Sequence, residues 1–421
     1  MHQNNGADVS GASGAPNYKS TIWACYIGYI TQAIAVNLPP LFFVIFRESY
    51  GISYSFLATL ILITFVVQIA VDAIMVKLTV KLGYRLSAVL AHVFSFLGLL
   101  MLGILPELMP SAPALIISSF LYSLGGGLTE VVISPIIDSL PGDAKASSMS
   151  LLHSFYSWGQ MLVVLLSTPL LILFTHDGWN VIPILWSIVP FFNIFLFAKV
   201  PLVPISEEES GRSAKSFIKS PVFIVSLIVM ICAGASEQAM SQWASLFAEK
   251  GLGVTKAVGD IAGPCLFALF MSIGRTFYGI KGEKIDTSKA LIACACLTVV
   301  CYATAVFAGN PIVSLLGCAV CGLGVSLMWP GTLAYTSKKY NYKAGPVMFA
   351  LLALGGDIGC SSGPWVCGRV SDLYLAANSG VADAESMAIK MGLAVSAIFP
   401  ILMIFALIVM RKLKTDDLSL D

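Results

Sequence analysis

Charge is what this sequence has least of. Only 11% of its 421 residues are Asp, Glu, Lys or Arg, against about 25% in an average soluble domain. With 57% hydrophobic residues and a mean hydropathy of +0.87, too few polar side chains remain to coat one soluble core. The net charge of +1 gives no bulk field to attract nucleic acid, which excludes it as a partner. The first twenty residues are polar and lack a basic stretch leading into a short apolar run, so no cleaved signal peptide is expected. No GxxxxGK[ST] nucleotide loop occurs, so any work the chain does draws on a gradient rather than on ATP. The chain has four histidines, and Cys318 and Cys321 have metal spacing without a second pair. Neither a metal nor a cofactor is expected, and the ten cysteines read as small packing residues. No Ser–His or paired catalytic Asp motif stands out, which argues against an enzyme.

What is abundant is long apolar sequence. About 20 such residues cross roughly 30 Å of hydrocarbon, and the chain offers twelve runs of that kind. They are residues 21–46, 54–77, 86–105, 113–138, 148–174 and 181–199, then 221–247, 259–280, 288–308, 311–336, 345–372 and 388–410. Residues 200–220, "VPLVPISEEESGRSAKSFIKS", form a polar linker between the two sets. The expected organisation is a disordered N-terminus (1–20), a six-helix bundle (21–199), the linker, a second bundle (221–410) and a tail (411–421). An even number of spans puts both termini on one face. With the termini in the cytoplasm, 19 of the 24 Lys and Arg fall on the inner side, the bias of a multi-pass protein of the cell membrane. Three landmark pairs, Gly127/Gly322, Pro135/Pro330 and Pro169/Pro364, share a spacing of 195. That spacing points to a duplicated, pseudo-symmetric pair of bundles, a layout that places a transported solute between the halves.

Polar residues inside the spans are the candidates for function. Glu130 sits in "FLYSLGGGLTEVVISPIIDSLPG", a membrane-length stretch where an unanswered charge is expensive. It lies about 12 Å from the inner end of its helix at 1.5 Å per residue. His153 and Tyr156 lie at a similar level on the next span. Asp357 repeats the theme of an acid beside two glycines. Glu237 shares a polar seventh span with Gln238, Gln242 and Trp243. Glu130, His153, Asp357 and Glu237 are therefore the candidates for proton coupling. Gln32, Asn37, Tyr156, Trp158, Gln160, Gln238, Gln242, Trp243 and Trp329 are the candidates for contact with substrate, since amides and flat aromatic faces suit a sugar. Asp260 is expected to cap the start of span eight, and Trp23, Trp179 and Trp186 to lie in the interface belt. Asp72, Arg85 and Arg275 lie near the inner helix ends and are expected to form ion pairs of a cytoplasmic gate. No Lys or Arg lies deep in any span, which favours a neutral or cationic solute over an anionic one.

The segments "VDAIMVKLTVKLGYR" and "GRTFYGIKGEKID" resemble the Asp-and-basic loop motif of the major facilitator superfamily, with Asp72, Gly83 and Arg85 in the first and Gly274 and Arg275 in the second. "GGGLTEVVISPIIDSLPGDAKASSMSLLHSFYSWG" is similar to the fourth and fifth helices of the fucose permease branch of sugar:proton symporters. Glu130 matches the Glu which that branch uses for sugar and proton. Ser134–Pro135 stands for its Asn-Pro, His153 for its Gln and Tyr156 for its Asn. The branch's first-helix acid is absent, and Asn37 falls close to that place. The resemblance implies an all-α integral membrane protein with twelve transmembrane helices in two six-helix bundles. It implies a monomeric secondary transporter in the lipid bilayer that moves a sugar-like small molecule together with protons. A drug or cation:proton antiporter and a sugar uniporter are the alternatives.

Overall fold

The computed structural model describes residues 18–140, 145–174, 178–203, 219–281, 285–340 and 345–414. All regular structure among them is helical, with no strand. The segments are α1 (Lys19–Tyr50), α2 (Tyr54–Met75), α3 (Leu82–Leu108), α4 (Ser111–Ser139), α5 (Lys145–Phe174) and α6 (Val181–Lys199). The second set is α7 (Pro221–Gly251), α8 (Lys256–Tyr278), α9 (Thr287–Phe307), α10 (Pro311–Lys339), α11 (Gly345–Ala377) and α12 (Ala384–Lys412). Among the described residues, eleven of these are long and apolar enough to cross a bilayer. The twelfth, α11, has the length, at 33 residues, but its interior carries Asp357, Ser361, Ser362 and Arg369. Its polar residue Asp357 faces protein, while Ile358, Trp365 and Leu373 on the same helix point outward.

Local chemistry sets the ends and breaks of these helices. Pro221 and Pro311 open α7 and α10 at the first position, where the missing N–H has no partner to lose. Ser53 accepts from the Phe56 amide at 3.1 Å and Asn310 from the Ile312 amide at 2.8 Å. In the loop before α9, Asp286 accepts from the amides of Lys289 and Ser288, which hold its carboxyl below the usual value. Pro39 and Pro40 tighten α1 into a 3₁₀ turn, and α10 loses its helical run at Ser326 and Leu327, just before Pro330. At the start of α3, Gly83 takes φ 76° and ψ 161°, a backbone state that strongly disfavours side chains.

Helices α1–α6 pack as one half and α7–α12 as the other. Gly127 lets α4 approach α2, where an added Cβ would lie 3.1 Å from Gln68 Cα. Its counterpart Gly322 lets α10 touch α8, where a Cβ would lie 2.0 Å from the Phe267 carbonyl oxygen. Gly127 and Gly322, one of the pairs that share the 195 spacing, thus hold the same helix pair together in each half. The halves meet along α2 against α11 and α5 against α8.

One end of the bundle carries the start of α1, where Thr21 donates to the Pro201 carbonyl, and the end of α12, where Lys339 donates to the Leu413 carbonyl; the other, the far end, is clamped. There Arg47 of α1 pairs with Glu385 of α12 at 2.9 Å, and Lys250 of α7 pairs with Glu48 of α1. Asp372 of α11 accepts from the amides of Tyr54 and Ser55 at 3.0 and 2.6 Å, so a carboxylate of one half caps a helix of the other. Trp243 is fully buried against Phe43 and Tyr54, and its indole donates to the Pro364 carbonyl at 3.1 Å. Asp260 is fully buried and caps no helix. It accepts from Thr168 of α5 at 2.9 Å, from Ser245 at 2.5 Å and from Lys256 at 3.1 Å, tying the halves together. Trp23 is exposed, as a belt residue would be, whereas Trp179 is buried among Phe42, Phe46 and Tyr50, and Trp186 donates to Ser167 inside the half.

Candidate functional site

The site begins at Glu130, half-buried near the middle of α4. Its Oε2 accepts from Gln32 Nε2 of α1 at 2.9 Å and from Gln68 Nε2 of α2 at 3.2 Å. Close packing at Gly125 and Gly127 draws α3 and α2 against α4 and brings Gln68 within reach. One turn beyond Gln68 on the same face of α2 stands Asp72. Asp357, 4% exposed on α11 of the other half, lies within electrostatic reach of both Glu130 and Asp72. Beside it, the Trp329 ring packs over Gly356, where a Cβ would lie 2.2 Å from the indole. Ser134, a turn beyond Glu130, shares a hydrogen bond with Tyr29 at 2.9 Å.

Around this centre the seam continues in polar side chains. Glu237 of α7 pairs with Arg275 of α8 at 3.2 Å, and Arg275 also donates to Ser157 of α5 at 3.2 Å. Asn37 donates to the Ala33 carbonyl at 3.0 Å and to the Tyr156 hydroxyl at 3.4 Å. Gln160 donates across the seam to Ser241 at 2.9 Å, and Gln242 donates to Gln238 at 3.1 Å. Asn37, Gln160, Ser241 and Gln242 border a void of about 10 Å³, room for roughly one water. A separate hollow of about 470 Å³ is lined by Leu62, Val66, Ile116 and Phe120 and other apolar residues of α2 and α4. It lies on the outer surface and suits acyl chains rather than a polar solute.

Most of the residues expected from sequence converge here: Gln32, Asn37, Glu130, Tyr156, Gln160, Glu237, Gln238, Gln242, Trp329 and Asp357. Three expectations do not hold. Trp158 is exposed on a stripe with Leu162, Leu165 and Leu166, because two residues along a helix turn it about 200° away from Tyr156. Trp243 is sealed in the far-end packing. The cytoplasmic gate pairs are absent among the described residues. Arg85 donates to the carbonyls of Phe197, Ala198 and Val200 at the end of α6, and the Asp72 Oδ1 has no partner. Arg275 reaches into the seam instead, so a guanidinium does stand at the site, already matched by Glu237. The side chain of His153 lies outside the described residues. Gln68, Ser157 and Ser241 enter the account only with the structure. His92 is fully buried within the first half, bonded to the Ala88 carbonyl and to Asn193, and serves packing there.

Two six-helix halves around a membrane-buried polar seam define a polytopic membrane carrier. The chain belongs to the Major Facilitator Superfamily, whose family model matches residues 25–364, and it is a transporter rather than an enzyme. Among solved structures it is similar to a D-xylose–proton symporter (14% identity, TM-score 0.76, 95% of this chain and 98% of that one). It is also similar to the nucleoside transporter NupG (12%, 0.75, 93% and 100%). The fucose:proton symporter FucP of E. coli aligns at 16% identity and a TM-score of 0.59, over 92% and 99%. At such identities these likenesses establish the fold alone. No curated protein matches the chain in sequence.

Proposed function

We propose that this transporter moves a small polar solute of the sugar type by alternating access, with protons exchanged at Glu130 driving accumulation. The observation that carries this reading is the Glu130 carboxylate held between two amide side chains, Gln32 and Gln68, at the junction of α1, α2 and α4. An acid so placed is within hydrogen-bonding reach of a hydroxylated ligand, and its charge state alters what Gln32 and Gln68 have to bond. The surrounding Asn37, Tyr156, Gln160 and Trp329 add amides, a hydroxyl and a flat face, the groups that bind sugars. The clamps that hold the far end shut support access from the opposite face, which carries the start of α1 and the end of α12 and which the Lys/Arg bias assigns to the cytoplasm. The protein works as a monomer in the cell membrane.

Uptake of a panel of labelled sugars into vesicles under a proton gradient tests this. Wild type accumulates at least one sugar, and Glu130→Gln exchanges it across the membrane without accumulating it. Gradient-driven accumulation that survives Glu130→Gln refutes the coupling role. A second reading, a cation:proton antiporter, is favoured by the unpaired acids Asp72 and Asp357. Extrusion of cationic dyes without accumulation of any sugar would establish it.

A further inference from the structure

The polar lining of the seam is sorted by sign. Arg275 is neutralised by Glu237. The opposite pole is formed by Asp72, Glu130 and Asp357, which lie within electrostatic reach of one another. Among the described residues no Lys or Arg pairs with any of the three. Acids alone would not identify a ligand, but the unpartnered atoms beside them do. Gln68 is 2% exposed, and while its Nε2 donates to Glu130, its Oε1 has no donor. Asp357 Oδ2 and Asp72 Oδ1 are likewise buried and unpaired. All three orphans are acceptors. Buried acceptors of this kind are costly unless a donor arrives, and three together call for a ligand that brings several donors and a positive charge.

A metal ion held by a cluster of acids does not fit. Such an ion needs its oxygens within about 2.0–2.6 Å of one point, and no group of three or more acid, Cys or His side chains among the described residues is close enough together to hold one. An ammonium has three N–H donors that reach outward by hydrogen-bond lengths, so its acceptors can stand further apart.

We propose that the pole of Asp72, Glu130, Gln68 and Asp357 receives a protonated amine of the cargo, so that the transported solute is an amino sugar in chemical class. This rests on the reading of the seam as a sugar-type transport site. The arrangement also assigns each half a share of the amine, since Asp72, Glu130 and Gln68 belong to the first half and Asp357 to the second. The amine then bridges the seam.

The test is calorimetric binding to purified full-length protein at about pH 6 with three probes of one ring skeleton. Glucose carries a hydroxyl, glucosamine an ammonium and N-acetylglucosamine a neutral amide at the same position. Glucosamine is expected to bind about tenfold or more tighter than the other two, the scale of a charge-assisted hydrogen bond. Asp357→Asn is expected to erase that preference, bringing glucosamine to within about threefold of glucose on the same variant. Gln68→Leu serves if Asp357→Asn fails to fold, and is expected to reduce the preference. Equal binding of all three sugars overturns the amine site and leaves the sugar reading intact. Binding of none of them overturns both. Sodium chloride displacing glucosamine competitively, or stabilising the protein in its place, shows an inorganic cation site and overturns the amine.

Discussion

At the scale of single residues, the site depends on two amides converging on one acid. Gln32 and Gln68 both direct Nε2 at the same oxygen of Glu130. Replacing Gln68 by Leu removes one donor of a charge-assisted hydrogen bond, of order 1.5–3 kcal/mol. The apparent substrate affinity should fall by about 10- to 100-fold, read as KM in vesicle uptake. Trp158→Leu changes only the lipid-facing stripe, and its KM should stay within about twofold. Glu130 was legible in the sequence because an acid inside a membrane-length apolar run is too costly to be incidental. Gln68 was just as legible in principle, one turn from Asp72 on the same face, but a lone amide in a span has an innocuous reading as a helix–helix hydrogen bond. Trp158 shows the opposite failure. Its chemistry suited a sugar, but residue type carries no information on which way the helix turns it, and only the phase relative to Tyr156 and Gln160 does.

At the scale of helices, the spans were legible because a bilayer demands about 20 apolar residues in each, and the breaks fell at prolines and at Gly83. Gly83→Ala should cost about 1–3 kcal/mol, the penalty of a backbone state reserved for glycine. No atom lies within 4 Å of the site of the added Cβ, so the loss is purely conformational and a fall in Tm of the purified protein measures it. What the sequence did not reveal is how α5 and α8 are joined. Asp260 looked like a helix-start residue, yet its carboxylate takes bonds from Thr168 across the seam and from Ser245 and Lys256 in its own half. The bonds to Thr168 and Ser245 span 92 and 15 positions of chain, which no local pattern connects. Asp260→Ala leaves the partly buried Lys256 ammonium with only the longer Glu249 contact at 4.0 Å, and breaking a buried pair costs up to about 3–5 kcal/mol. Part of that loss falls on the far-end-closed state, so the substitution should weaken the α5–α8 join and raise hydrogen exchange at both helix segments.

At the scale of the whole molecule, the far end is held by contacts that must all break for the other face to open. Arg47 joins Glu385 at 2.9 Å and lies 3.5 Å above the Tyr54 ring, while Asp372 caps the start of α2. The pairs are partly exposed, so each is individually weak. Together they bias an equilibrium between two arrangements of rigid halves, and a bias of about 1.4 kcal/mol changes the population ratio tenfold. Arg47→Glu sets an acid beside Glu385 and Asp372, replacing attraction by repulsion. A cysteine placed at Asn37, buried in the seam below the clamp, should then become accessible to a membrane-impermeant thiol reagent from the far side at a rate about tenfold above that of the Asn37→Cys parent. The native cysteines are replaced by alanine in both backgrounds. Restoring the pair in reversed order, Arg47→Glu with Glu385→Arg, should return labelling toward the parent rate, because the swap rebuilds the attraction without rebuilding the original residues. Recovery in the double variant separates an electrostatic clamp from a steric one. If labelling stays low in Arg47→Glu alone, the ring packing of Phe43, Tyr54 and Trp243 carries the closure, and the ion pairs merely accompany it.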